Sequence, residues 1–162
     1  MWIYLPALKK VRRLVADNKR DSFVGSDLTF GDLIGHKPAD WSHTLVREEV
    51  LDGKAVWVIE SVPKDDRTKS QTGYVKRLLW IDRQSCLPLK TDYWDETGAP
   101  LKTIRASEVI SADAAAGKWQ FLHVEAINRQ SGHGTVLHFD RYQANQHLAD
   151  DLFTPRFLER DQ

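Results

Sequence analysis

Six histidines, at positions 36, 43, 123, 133, 138 and 147, are the side chains best suited to proton transfer or metal ligation. None is part of an HExxH or comparable helix-spaced metal signature. His133 and His138 are an odd number of residues apart, so on one continuous strand they point to opposite faces. Spacing therefore nominates no metal site. Ser26 sits in "VGSDL", which lacks the second glycine of a GxSxG nucleophile elbow, and no spacing supplies it with a base. The acid pairs Glu48-Glu49, Asp65-Asp66 and Asp150-Asp151 are sequence neighbours, which diverge in strands and are solvated in loops, so they are poor general acid/base pairs. A lone Cys86 allows neither an intramolecular disulfide nor a cysteine-based zinc site. The chain reads as a non-enzyme without a cofactor.

Two other groups of residues point to binding. Lys9, Lys10, Arg12, Arg13, Lys19 and Arg20 are opposed only by Asp17 within the first twenty positions. Such a cluster either protects a strand edge or meets anionic lipid headgroups or phosphates, with Arg12 and Arg13 the headgroup candidates. The formal net charge of zero, from 23 basic and 23 acidic residues, weighs against nucleic acid. The aromatic residues, six Trp, six Phe and four Tyr, exceed what two short helices can cover, which favours an apolar pocket.

The elements that must position these residues are mostly strands. At 162 residues the chain is about one domain, 1–162, without repeats or linkers. No apolar run approaches the roughly 18–20 residues of a membrane span. No basic segment precedes "WIYLPALKKVRR", so no signal peptide is read. Lys54–Val62, Gly73–Asp82, Leu87–Trp94, Pro100–Ile110, Lys118–Asn128 and Gly134–Tyr142 are rich in β-branched and aromatic residues. Asp52-Gly53, Thr97-Gly98 and Ser131-Gly132 mark turns between strands. The expectation is a mainly β fold, an antiparallel meander, with one or two short helices. One helix follows Thr29; the other starts at Thr154-Pro155.

A two-residue turn at Asp52-Gly53 sets Leu51 against Lys54, Val50 against Ala55, Glu48 against Trp57 and Val46 against Ile59. Val46, Val50, Ala55, Trp57 and Ile59 then form one apolar face, expected to be the more buried, with Leu45, Arg47, Glu49, Val56 and Val58 on a mixed face. At Thr97-Gly98 the loop holds two residues or three, and the faces there stay unassigned. "AVWVI", "LLW" and "WQFL" are apolar on both sides, so the second face also needs cover. A lid loop, an apolar ligand, a partner chain or a portion outside this sequence would supply it.

The segment "SFVGSDLTFGDLIG" (Ser22–Gly35) is loop-like yet apolar, unlike an ordinary surface connection. Together with Trp2, Tyr4, Pro6, Arg12 and Arg13 it resembles the LolA-like outer-membrane lipoprotein-sorting proteins. In that family a W-x-Y-x-P strand and a basic strand precede an S-F-x-G-S-D-[FL]-[ST]-[FY]-x-D-[LM] loop. The matching positions are Ser22, Phe23, Gly25, Ser26, Asp27, Leu28, Thr29, Phe30, Asp32 and Leu33; "LLWID", "LPLKTDYWDETG" and "LADDLFTPRFL" follow in similar order. The resemblance implies a strongly curved antiparallel sheet, an incomplete barrel, whose hollow holds acyl chains of a lipid or lipoprotein in the periplasm. It implies a chain corresponding to the C-terminal part of the family fold, since members carry a signal peptide and further strands ahead of this point. Phe23, Phe30 and Leu33 would line the mouth of the hollow, or equally would plug it. Gly25 would permit a tight turn, and Asp27 would cap or turn locally. With these, Val46, Val50, Trp57 and Ile59 are the ligand-binding candidates. A membrane transporter or a second copy of the chain is the alternative partner, docking on an exposed apolar face.

Overall fold

The computed structural model of the chain describes residues 2–5, 10–13 and 19–160. Pro6 and Lys9 lie outside the described residues. The described residues form two antiparallel sheets. The small one pairs β1 (Trp2–Leu5) with β2 (Lys10–Arg13). The large one runs in strict chain order: β3 (Trp41–Leu51), β4 (Lys54–Pro63), β5 (Tyr74–Asp82), β6 (Pro88–Asp95), β7 (Pro100–Asp113), β8 (Lys118–Asn128) and β9 (Gly134–His138). Each strand pairs with its sequence neighbour, and β3 and β9 remain edges, so the meander is an open sheet and not a closed barrel. Among the described residues no helix is long and apolar enough to cross a membrane.

Local chemistry accounts for the connections. Asp52 and Gly53 both adopt positive φ, 49° and 80°, as the two-residue hairpin turn requires. At the next tight hairpin Asp95 N–H donates to Ala99 O at 3.0 Å, leaving Glu96, Thr97 and Gly98 in a three-residue loop. The Asp95 carboxylate secures that loop by accepting from Thr97 N–H at 2.9 Å and from Ala99 N–H at 3.0 Å. β9 ends at His138, short of the Tyr142 expected; Phe139 N–H still donates to Leu122 O at 2.8 Å, and Arg141 beyond it takes a φ of 51°.

The described residues hold three short α-helices, where the sequence predicts one or two. α1 (Phe30–Ile34) starts at Thr29 with a reciprocal capping box to Asp32, and α3 (Pro155–Arg160) starts after Thr154. The additional α2 (Asp66–Thr72) is capped by the Asp65 side chain and ends at Gly73, which takes the left-handed conformation. Its sequence, DRTKSQT, has no apolar periodicity and escapes a search by hydrophobic pattern.

The faces of the β3–β4 hairpin require a correction. The expected register holds from Leu51↔Lys54 to Arg47↔Val58, then a bulge at Val46 places Leu45, not Val46, opposite Ile59. Bulges are common on edge strands, and this one leaves Val46 unpaired and half exposed. Val50 is 71% exposed, whereas Val56 and Val58 on the supposedly mixed face are fully buried. Trp80 and Leu89 pack on that face with the two valines, and Glu49 accepts the Trp80 indole N–H, so a polar residue becomes part of the cover. Trp57 does share a face with the cavity-lining Ile81, but it is only partly buried, under the Arg83 guanidinium 5.2 Å from its ring centroid. A second buried cluster, Trp41, Tyr74 and Tyr93, lies beneath the Ser22–Gly35 segment.

Candidate functional site

The inner face of the sheet carries one continuous row across six strands. Ile59, Leu79, Thr91, Ile104, Ala126 and Thr135 are successive cross-strand partners and therefore point the same way. The Ser22–Gly35 segment and α1 lie over this row. Its backbone begins with a turn, Ser26 N–H to Phe23 O at 2.9 Å, in which Gly25 takes φ 77°. Gly31 passes so close to the chain at Lys19 that an added Cβ would stand 3.0 Å from the Lys19 carbonyl oxygen. Phe23 and Phe30 meet edge to face with centroids 5.5 Å apart, and Phe30 and Leu28 are buried.

Polar residues of the same segment fasten it to the sheet. Lys102 of β7 donates to the Asp32 carboxylate at 2.6 Å and to the Asp27 carbonyl at 2.9 Å, with both charged side chains at most 3% exposed. Tyr74 of β5 donates its hydroxyl to Asp32 at 3.1 Å. Asp27 reaches β9: its N–H donates to Thr135 Oγ1 at 3.0 Å, while its carboxylate accepts from Thr135 at 2.8 Å and contacts His133 Nδ1 at 2.6 Å. Asp27 thus acts across the sheet, in place of the local cap expected of it. The loop is strapped from β5 through β7 to β9.

Burial shapes the ionisation of this clamp. Burial pushes the Asp32 carboxyl up, but His36, the Lys102 ammonium and the Thr29 N–H outweigh it and hold the group well below the usual carboxylate range. Burial pushes His36 down, so its imidazole, packed against Trp41 and Tyr74, is neutral at pH 7. Arg77 is buried with its guanidinium 3.6 Å from the Trp41 ring centroid, an arrangement that offsets part of its desolvation.

A pair of cavities lined by described residues lies beneath the strap. The larger, about 490 Å³, lies between the Gly35–Pro38 segment and β4–β6, and Ile59, Leu79 and Ile81 form its apolar floor. The smaller, about 290 Å³, runs toward β7–β9 under Leu33, with Ile104, Val124, Leu137 and Phe139 in its walls. Both touch Asp32, Pro88, Thr91 and Tyr93, so they form two lobes of one groove. Among the candidates from sequence, Leu33 and Ile59 line this groove; Phe23 and Phe30 hold the strap above it. Val46, Val50 and Trp57 belong to the hairpin beyond it. Arg13 stands over the Trp2 ring, 5.8 Å from the centroid, while the Arg12 side chain lies outside the described residues. Sequence reasoning missed Lys102, Tyr74 and Arg77. Nothing beside them in sequence signals that Lys102 and Tyr74 meet Asp32 of the loop, 70 and 42 positions away, or that Arg77 meets Trp41 at the start of β3.

The described residues thus form a seven-stranded open meander with an apolar groove under a strapped loop. No curated protein sequence matches the chain. The family model described as "-like: Uncharacterized protein" matches residues 1–160. Among solved structures, a domain described as an outer membrane lipoprotein-sorting protein domain from Vibrio parahaemolyticus aligns with a TM-score of 0.84 and 30% identity over 98% of this chain. A DUF1329 family protein from Desulfovibrio piger aligns with a TM-score of 0.82 and 27% identity over 97% of it. A LolA superfamily protein from Nitrosomonas europaea, at 22% identity over 96% of the chain and a TM-score of 0.65, shares the fold. The chain belongs to the family of that model, and its fold is LolA-like. It spans 63–66% of the length of these three structures.

Proposed function

We propose that the protein is a non-enzymatic carrier that binds acyl chains of a lipid or lipoprotein in the groove beneath the Ser22–Gly35 strap, working in the periplasm in lipoprotein sorting or lipid transport. The observation that carries this reading is the groove: an apolar floor of Ile59, Leu79 and Ile81 next to a cavity of about 490 Å³, within the size range of small-molecule sites. Burial drives binding at roughly 0.8 kcal/mol per methylene removed from water, so ten methylenes supply about 8 kcal/mol before ordering costs. No charge chemistry is required. The buried ions of the clamp are already paired, which suits positioning of the strap.

In this reading Leu33 and Ile59 touch the ligand, Phe23 and Phe30 set the height of the strap, and Trp57 borders the mouth. Arg12 and Arg13 meet anionic headgroups at a donor or acceptor membrane. Mass spectrometry of organic extracts of the purified protein tests the proposal: co-purifying lipid is expected. Leu79→Trp, which fills the larger lobe, is expected to abolish displacement of a fluorescent fatty acid. Extracts free of lipid, together with wild-type protein that fails to bind the fluorescent probe, overturn the reading. Charge reversal at Arg12 and Arg13 is expected to weaken association with anionic vesicles at low salt, with about 0.5 M salt removing the difference.

One observation favours a second reading. Leu45, Val46 and Val50 of the edge strand β3 are each at least half exposed. An edge of this kind suits docking on a membrane transporter or on a second copy of the chain. Light scattering at micromolar concentration separates the two occupants: a dimer supports self-association.

A further inference from the structure

A second cluster lies where β7, β8 and β9 run side by side, on residues that the groove does not use. His123 of β8 and His138 of β9 are direct cross-strand partners, and Ser107 of β7 opposes His123 from the other side. The two imidazoles stand edge to face with centroids 5.9 Å apart. Glu108 follows Ser107, so regular alternation would send its side chain to the opposite face, away from His123. Its φ of 53° breaks that alternation. One ligand atom each from Glu108, His123 and His138 consequently lies within 4.8 Å of the others. A non-glycine residue in the left-handed region within a strand is uncommon and costs free energy. Here the distorted residue is the one that completes the cluster.

We propose that Glu108, His123 and His138 form a site for a divalent transition-metal ion of the zinc type. Two imidazoles and one carboxylate are the donor set that Zn²⁺ and its neighbours take, whereas Mg²⁺ and Ca²⁺ need oxygen ligands. Around a tetrahedral ion bound at about 2.1 Å the ligand atoms stand about 3.4 Å apart, so small side-chain rotations close the triad. Asp140, with Oδ1 3.4 Å from His138 Nε2, adds a second carboxylate at the rim. The cluster joins the interior strand β7 to the edge strand β9, which is only five residues long. An ion would therefore fix that edge, and with it Leu137 and Phe139, the two neighbours of His138 that wall the smaller lobe of the groove. The inference stands whatever the groove holds.

Titration of the full chain with ZnCl₂, followed by calorimetry and by thermal melting, tests it. One ion per chain with micromolar affinity and a raised melting temperature is expected. His138→Ala and Glu108→Gln, both at exposed positions, are each expected to weaken binding at least tenfold. Glu108→Gly accepts positive φ without strain, so it is expected to lose binding while the metal-free protein melts no lower than wild type. His147→Ala, at an exposed histidine outside the cluster, is expected to bind as wild type. Absence of saturable binding up to millimolar Zn²⁺, affinity unchanged by both His138→Ala and Glu108→Gln, or an equal loss in His147→Ala overturns the proposal.

Discussion

The two faces of the large sheet are held by different physics. Outside, Val56, Val58, Trp80 and Leu89 form an apolar cluster on which further strand residues, Leu51, Leu78 and Val109, pack. Inside, the cover is a loop fixed by ion pairing and hydrogen bonds: Asp32 and Asp27 to Lys102, Tyr74 and Thr135. Apolar packing is non-directional and fills the space available to it, whereas charged hydrogen bonds specify a position. A strap that must stand above an apolar groove without collapsing into it is better served by the second kind. The contrast teaches that the polar residues of an apolar loop can mark where the loop is held, and its apolar residues what it covers.

The largest expected effect breaks the inner side. Lys102→Met leaves Asp32 buried without its cation and is expected to cost about 3–5 kcal/mol in denaturant unfolding, with loss of acyl-chain binding as the strap shifts. Adding Asp32→Leu removes the stranded charge, so the double variant is expected to recover part of the stability but not the binding. A single-variant loss below about 1 kcal/mol would show that the clamp is solvated and the comparison mistaken. Trp80→Ala on the outer face is expected to cost about 3 kcal/mol or somewhat more while leaving acyl-chain binding intact, since Trp80 lines neither lobe. Equal loss of binding in both variants would mean that the two faces act as one unit.

Smaller perturbations sharpen the same contrast. Thr135→Val removes two hydrogen bonds at the β9 end of the strap and is expected to cost about 1–2 kcal/mol, read from the unfolding midpoint. For pH, His36 is held below its ordinary value of 6.5 when folded, so the unfolded chain binds the proton more readily. Stability from this group is complete above that value and declines as pH falls through it. Asp32, also lowered, adds a further decline only below its ordinary value of 3.8. Melting temperatures at pH 7.5 and 5.5 are expected to differ more in wild type than in His36→Phe. Least of all, Val50→Thr at the exposed hairpin tip is expected to change stability by no more than about 0.5 kcal/mol.

Strands, turns and family were legible in the chain because they depend on local or ordered information. The Asp52-Gly53 turn carries its own register, and β-branched and aromatic runs mark β4, β5, β6 and β8 to within a residue, while β7 runs three residues past the expected Ile110. The Thr29 and Thr154 caps announced α1 and α3. The buried side of β3–β4 was not legible: a single bulge at Val46 exchanges the pairing, and cover from Trp80 and Glu49 decides which valines are hidden.

The sequence by itself determined the meander, its turns and the presence of an apolar segment that had to lie over something. Tertiary structure alone decided where that segment is fastened, since Lys102 meets Asp32 only after β7 has been placed beneath the loop. It also decided that His123 faces His138, fifteen positions away, because antiparallel pairing sets which distant residues are neighbours. Local propensity acts over a few residues; pairing and burial act over the whole chain, and the groove and the Glu108–His123–His138 cluster are products of the latter.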